Sequence, residues 1–235
     1  IVPGVTVAKN EGYKTIISIR GVGNETNQNA IAAPSVAYHM DGIFIASPFS
    51  LQTDFIDVQR IEVLRGPQGT LFGQNSTGGA INVISNKPTT DERFSKADIT
   101  YGDYGMKQLR SSSNFPISDN VSTKLSLSAM TREGFTENLA TGQDLDDAHN
   151  LSFRTDWMID VNDTTSLRIF GQYSSVDRNG AAIRGIDDQS PGMRKLSQNT
   201  ISKQELTSSV FAMIFETDLG YASLKILASS QEDDI

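Results

Sequence analysis

The sequence predicts a mostly β protein: a small α+β domain over residues 1–88, then antiparallel strands of an incomplete transmembrane β-barrel over 89–235. Three observations predict it. The stretch from Arg60 to Pro88 joins two β-branched runs through a turn-rich Gly/Asn/Ser segment. Beyond it, segments of about 10 residues alternate apolar and polar side chains, the length that crosses a bilayer at a tilt. The links between these segments alternate short and long.

In the first section the strand-like runs are Ile16–Arg20, Ser35–Met40, Arg60–Leu64 and Ala80–Ile84, punctuated by Gly21, Gly23, Gly42, Gly66, Gly69, Gly73, Gly78 and Gly79. Segments 24–34 and 46–54 are polar or turn-rich and are expected to project as loops. The polar span 86–93 reads as a linker, because Pro88 cannot donate to a strand ladder. A compact glycine-rich domain ahead of barrel strands reads as a plug.

After the linker the texture changes. Ala97, Ile99 and Tyr101 alternate with Lys96, Asp98 and Thr100; Val121, Leu125, Leu127 and Ala129 with Ser122, Lys124, Ser126 and Ser128. Leu151, Phe153, Trp157 and Ile159 alternate with Ser152, Arg154 and Asp156, and Ala222, Leu224, Ile226 and Ala228 with Ser223, Lys225 and Ser229. Successive strand residues face opposite sides, so each segment has an apolar wall and a polar wall. Segments 165–176 and 205–217 obey less cleanly, and 106–117 only weakly. A soluble sandwich would alternate in the same way, so link length is the better discriminator. Links at 118–120, 160–164 and 219–220 are short, and those at 135–148 and 179–204 are long, as when turns face one side of a membrane and loops the other. Gly102–Gly105 is short and breaks the trend. Tyr101, Tyr104, Phe115, Phe135 and Trp157 lie near expected strand ends, where an interfacial aromatic girdle would sit; ordinary strand-end aromatics are the competing reading. About seven such strands would leave two unpaired sheet edges in lipid, so the barrel is expected to be incomplete.

Composition narrows the classes. Apolar stretches such as Ile43–Ala46 fall far short of the ~18 residues of a spanning helix, which leaves barrel spanning open. Cysteine is absent, removing disulfides, thiol nucleophiles and cysteine-based metal sites. The chain begins at Ile1 with neither Met nor an apolar leader, which is read as a removed signal segment and a fragment. Residues 1–88 are neutral, with six basic and six acidic side chains, so the net charge of −8 lies entirely in 89–235. No nucleic-acid partner is expected, since a duplex binder needs a basic face.

The motifs that invite enzymatic readings do not complete them. Gly73 is followed by Gly78-Gly79 and no Lys, unlike a phosphate-binding loop, and Gly21-Val22-Gly23 has Thr26 where a third glycine belongs. Glycines that permit positive φ and close backbone approach in a small domain account for both segments. Asp144, Asp146, Asp147, Asp187 and Asp188 offer oxygen ligands but lack EF-hand spacing, so solvated acid runs are preferred. His39 and His149 stand alone, and His39 is assigned to a strand of the first domain. No nucleophile, base and oxyanion site assembles, and neither enzymatic activity, cofactor nor metal site is expected.

Taken together, Val2-Pro3-Gly4-Val5, Ile19-Arg20-Gly21-Val22-Gly23, Tyr38-His39-Met40-Asp41-Gly42-Ile43 and the long segment from Asp57-Val58 through Arg60–Pro88 resemble the N-terminal part of a TonB-dependent outer-membrane receptor. The matching blocks span residues 1–88; the later strands agree in pattern only. The resemblance implies a plug inside a barrel of about 22 strands, in the bacterial outer membrane. It also implies gated import of a scarce ligand, a metal chelate such as a ferric siderophore being typical. A TonB-type energy-coupling protein and outer-membrane lipid are the implied partners, with the coupling box and most barrel strands expected outside these residues.

The resemblance further assigns Arg65, in Leu64-Arg65-Gly66, as a latch to barrel carboxylates, with Arg20, Arg60 and Glu62 as auxiliary contacts; a plug-internal ion pair is the alternative. Asn24, Glu25, Thr26, Asn27, Gln28, Asn29, Ser47, Phe49 and Ser50 would be ligand-facing apex loops, against the plainer reading of solvated loops. A secreted all-β glycan-binding module or adhesin is the rival class. It requires the apolar stripe of the second section to pack inward against another sheet.

Overall fold

The computed structural model describes residues 2–10, 14–23, 35–46, 56–73 and 75–234. It divides into two units: Ile1–Gln52 with Val58–Ser85, and Thr53–Asp57 with Asn86–Ile235.

The first unit begins with β1 (Val5–Asn10), β2 (Lys14–Ile19) and β3 (Val22–Gly23), an antiparallel sheet in that order. Ile19 pairs with Val22 across the two-residue turn Arg20-Gly21, whose positive φ values of 54° and 78° suit the right-handed twist of a tight hairpin. Next come β4 (Val36–Met40), β5 (Ile43–Phe44), β6 (Val58–Arg65), the single helical turn α1 (Gly69–Phe72) and β7 (Gly79–Ser85). They form a second sheet, order β5-β4-β7-β6, in which β4 and β7 run parallel. Ile19, Val36, Tyr38, Ile45, Ile81 and Val83 form the core, so apolar residues of both sheets share one interior. Asp41 is buried with them and accepts hydrogen bonds from the Ser85 amide at 3.0 Å and the Ser85 hydroxyl at 2.8 Å.

The second unit starts with β8 (Phe94–Gly102), β9 (Met106–Ser118) and β10 (Val121–Arg132). The short β11 (Thr136–Asn138) and β12 (Asp144–Leu145) precede β13 (Ala148–Asn162) and β14 (Thr165–Asn179). Then come β15 (Lys195–Leu196), β16 (Lys203–Asp218) and β17 (Ser223–Asp234). The long strands make one antiparallel seven-stranded meander, β17-β16-β14-β13-β10-β9-β8, with β8 and β17 as its edges. The weakly alternating 106–117 is a full 13-residue strand, held by pairing on both sides rather than by its own pattern. In β16, Leu206, Val210, Ala212 and Ile214 are buried while Phe211 and Met213 are exposed, so both faces are apolar and alternation is blurred.

The burial of this sheet is inverted relative to a soluble one. In β10, Ser122, Lys124, Ser126 and Ser128 are buried, whereas Leu125 on the opposite face is 40% exposed. In β13, Ser152, Arg154 and Asp156 are buried, while Leu151, Phe153 and Trp157 are 45%, 43% and 39% exposed. A row of large apolar side chains left open on one face, with polar ones buried on the other, reverses the pattern of a soluble sheet and marks an interaction or membrane surface. An apolar solvent on that side resolves it, and strands of 12–16 residues (β10, β13, β14 and β16) are long enough to cross its hydrocarbon layer.

The span 86–93 is not a free linker. The Asn114 side-chain amide donates to the carbonyls of Thr89 and Glu92 at 2.8 and 2.7 Å, and its carbonyl accepts from the Thr89 amide at 3.0 Å. The long links are also structured: β12, β11 and β15 form a three-stranded sheet of their own, with Leu145 and Leu196 fully buried beneath it.

Candidate functional site

The glycines of the first unit serve different needs. A Cβ on Gly79 would lie 2.3 Å from the Leu64 carbonyl oxygen and 2.8 Å from Ile19 Cδ1, and its φ is +144°. One on Gly78 would lie 2.8 Å from Val22 Cγ1. Gly66 and Gly73 instead have positive φ in open space, Gly21 completes the hairpin turn, and Gly69 opens α1 with neither constraint. The glycine-rich excursion is closed on itself. The Gly66 amide donates to the Gly78 carbonyl, the Gln68 amide to that of Ser76, and the Ser76 hydroxyl to that of Gly73.

Of the expected latch residues, Arg60 and Glu62 are brought together, with Arg60 Nε 2.7 Å from Glu62 Oε1. Glu62 also accepts from the Asn82 side chain at 3.2 Å, since these two residues pair across β6 and β7. Arg65 is exposed on the other face of β6, and Arg20 sits exposed in its hairpin turn. Asn24–Asn29 and Ser47–Ser50 lie outside the described residues. His39 is a buried β4 residue against the rings of Phe44 and Phe72, and burial lowers its pKa, keeping the imidazole neutral.

Two charged clusters in the second unit escaped the sequence reading. Asp57, its side chain only 3% exposed, pairs with Lys124 at 2.5 Å and Lys96 at 3.2 Å. The Asn86 side chain donates to the Asp57 carboxylate at 2.9 Å, and the Asn86 amide donates to the Asp57 carbonyl at 2.9 Å. Burial alone would push the Asp57 carboxyl up, but the Lys124 ammonium, helped by Asn86 and Lys96, holds it below the usual carboxylate range. Because Asp57 and Asn86 flank the excursion 58–85, its two ends are pinned together at one point. The second cluster is Arg154, Asp156 and Arg168, all buried. Arg168 grips Asp156 in a fork at 2.9 and 2.6 Å, Arg154 reaches it at 3.0 Å, and the Arg154 guanidinium lies 3.9 Å from the Phe170 ring centroid. Alternation placed Arg154 and Asp156 on the polar wall, but only cross-strand register brings Arg168 to them.

Three of the five aspartates in the long links, Asp146, Asp147 and Asp188, are engaged by nearby amides and hydroxyls. Asp146 accepts from the Thr136 hydroxyl and the Ala182 amide, Asp147 from the Asn179 amide, and Asp188 from the Ser190 and Ser197 amides. Among the described residues no group of three or more His, Asp or Glu is arranged to hold a metal ion.

Residues 1–80 match the family described as the TonB-dependent receptor plug domain. That stretch is similar to the plug domain of TonB-dependent receptors. The matched stretch takes in β1 to β6, α1 and the start of β7. Among curated relatives, the pesticin receptor of Yersinia pestis is 33% identical over 149 residues, covering 61% of this chain and 21% of that protein. The iron-regulated outer membrane virulence protein of Vibrio cholerae is 28% identical over 212 residues, 85% of this chain and 31% of that protein. The chain therefore spans between a fifth and a third of the length of these two relatives. The ferric yersiniabactin uptake receptor FyuA from Yersinia pestis superposes with a TM-score of 0.79 over 99% of this chain and 37% of its own, at 20% identity, a likeness of fold. Plug and following strands together have the architecture of that receptor fold, with the barrel only partly represented.

Proposed function

We propose that this chain is the plug and first wall strands of an outer-membrane receptor that imports a scarce ligand such as a ferric siderophore, energised through a TonB-type coupling protein. The observation that carries the reading is the inverted sheet: an open apolar face, a covered polar face and a plug domain in one chain. A secreted adhesin would need the reverse burial, with Leu125, Leu151 and Phe153 packed inward, and they are not. In this reading the plug is a stopper, the wall supplies a lipid-facing exterior, and the energy for moving ligand comes from the inner membrane. Arg65 remains proposed as a plug-to-barrel latch, its exposed guanidinium awaiting carboxylates on the rest of the wall.

The test uses the full-length receptor in iron-starved cells lacking other uptake routes. Radiolabelled ferric chelate is expected to accumulate with the receptor present and to stop accumulating when the proton gradient is collapsed. Accumulation that is indifferent to the receptor across a panel of chelates would refute the importer reading. Charge reversal at Arg65 is expected to lower uptake, and unchanged uptake and plug mobility would refute the latch.

A further inference from the structure

A cluster in the long-link region is built as a binding site. Tyr104, at the tip between β8 and β9, has φ +59°, a left-handed conformation uncommon for a bulky residue and held by its surroundings. Its carbonyl accepts the Glu133 amide at 2.9 Å, and its ring centroid lies 5.4 Å from that of Phe135. The Arg194 guanidinium stands over both rings, 5.1 Å from Tyr104 and 5.7 Å from Phe135, and Arg132 stands 5.2 Å over Phe135.

Three separate segments deliver these side chains, and main-chain hydrogen bonds lock them together. The Phe135 amide donates to the Leu145 carbonyl at 3.0 Å and the Glu137 amide to the Arg194 carbonyl at 3.0 Å. Gly134 permits this approach, since a Cβ there would lie 2.7 Å from the Leu145 oxygen. Tyr104, Phe135 and Arg194 line one side of a groove of about 680 Å³, a volume suited to a small molecule. Met193 on its rim is 97% exposed.

The chemistry of the groove is specific. A guanidinium lying on an aromatic face keeps its in-plane N–H fork available for an anion. Among the described residues Arg194 has no ion pair, whereas Glu137 and Lys195 in the same groove neutralise one another at 2.7 Å. Asp144, also in the lining, disfavours a second negative charge at that end. We infer that this groove binds a planar aromatic acid, its anionic group on the Arg194 fork and its ring beside Tyr104 and Phe135. Preorganisation of the three side chains lowers the ordering cost of such binding. The inference rests on the importer reading only in taking the ligand to arrive from outside the cell.

The test is equilibrium binding of 2-naphthoate, a fluorescent planar acid, to the full-length receptor in detergent, with neutral 2-naphthylmethanol as the control for micelle partitioning. Saturable binding of the acid is expected, weakened about ten-fold in Arg194→Gln and partly restored in Arg194→Lys, which keeps charge but loses the planar fork. Phe135→Leu is expected to weaken the acid as well. Heat-modified gel mobility verifies that each variant is folded. Absence of saturable binding to the unaltered receptor, or equal affinity in Arg194→Gln, overturns the inference. Failed chelate uptake with naphthoate binding intact would instead remove the importer reading and leave the groove standing.

Discussion

Asp57 shows how much one buried carboxylate can hold. It neutralises Lys124, whose side chain is equally buried, and it receives Asn86 from the far end of the excursion 58–85. Replacing it with Asn leaves the Lys124 ammonium buried without a counter-charge, and thermal or denaturant unfolding of the full-length receptor is expected to show a loss of about 3–5 kcal/mol. The same pair carries a pH signature. The folded carboxyl titrates below its unfolded value, so on acidification the unfolded chain takes up the proton first. The contribution is therefore full above about pH 4 and drains away as pH falls through the depressed folded value, and the gap between native and Asp57→Asn melting temperatures should close over that range. Gly79 and Gly66 separate two meanings of glycine. Gly79→Ala drives a methyl into the Leu64 carbonyl and should cost about 3 kcal/mol or more, while Gly66→Ala, with open space and only positive φ to bear, should cost about 1 kcal/mol. Protease resistance of the plug would report both. A role for glycine in this stretch is legible from spacing, but which glycine answers to space and which to φ depends on Ile19, Val22 and Leu64, distant in the chain.

At the scale of elements, the strands were readable wherever one face is apolar and the other polar, as in β10 and β13. They were faint where both faces are polar or both apolar, as in β9 and β16. The links were misread in kind. Polar composition announces loops, yet Asn138, fully buried, clamps two of them. Its side chain accepts from the Ala140 and Gln198 amides at 3.1 and 3.0 Å and donates to the Gln198 carbonyl at 3.1 Å. Asn138→Ala should loosen this sheet by about 1–3 kcal/mol, seen as faster hydrogen exchange at the Gln198 and Ala140 amides with strands β13 and β14 unaffected. Equal protection in the variant would show that Gln143, reciprocally bonded to Ser202, suffices. Tyr104 and Phe135, for which a girdle and ordinary strand-end aromatics were the two open readings, gather with Arg194 in one cluster. Strand-end position does not reveal which way a loop turns.

For the whole molecule, the direction of burial is the decisive property. Trp157 is the one tryptophan of these 235 residues and stands on the apolar face of β13. In the full-length receptor reconstituted with brominated lipids, the emission lost on Trp157→Phe substitution should be strongly quenched by the bromines. Unquenched emission would place that face away from lipid. On the same face, Phe153→Arg should cost about 2–4 kcal/mol of insertion free energy and lower the folded yield in membranes.

Alternation, link lengths and the glycine-rich stretch were enough to reveal a plug-like domain and amphipathic strands, because pleat geometry assigns faces residue by residue and turns demand particular backbones. Whether the apolar faces look outward or inward is absent from a linear pattern, since a sandwich and a barrel share the same period. So is the company of Asp57, of Arg168 or of Arg194, for charges find their partners through register and return of the chain, contacts that exist only once distant segments have been brought side by side.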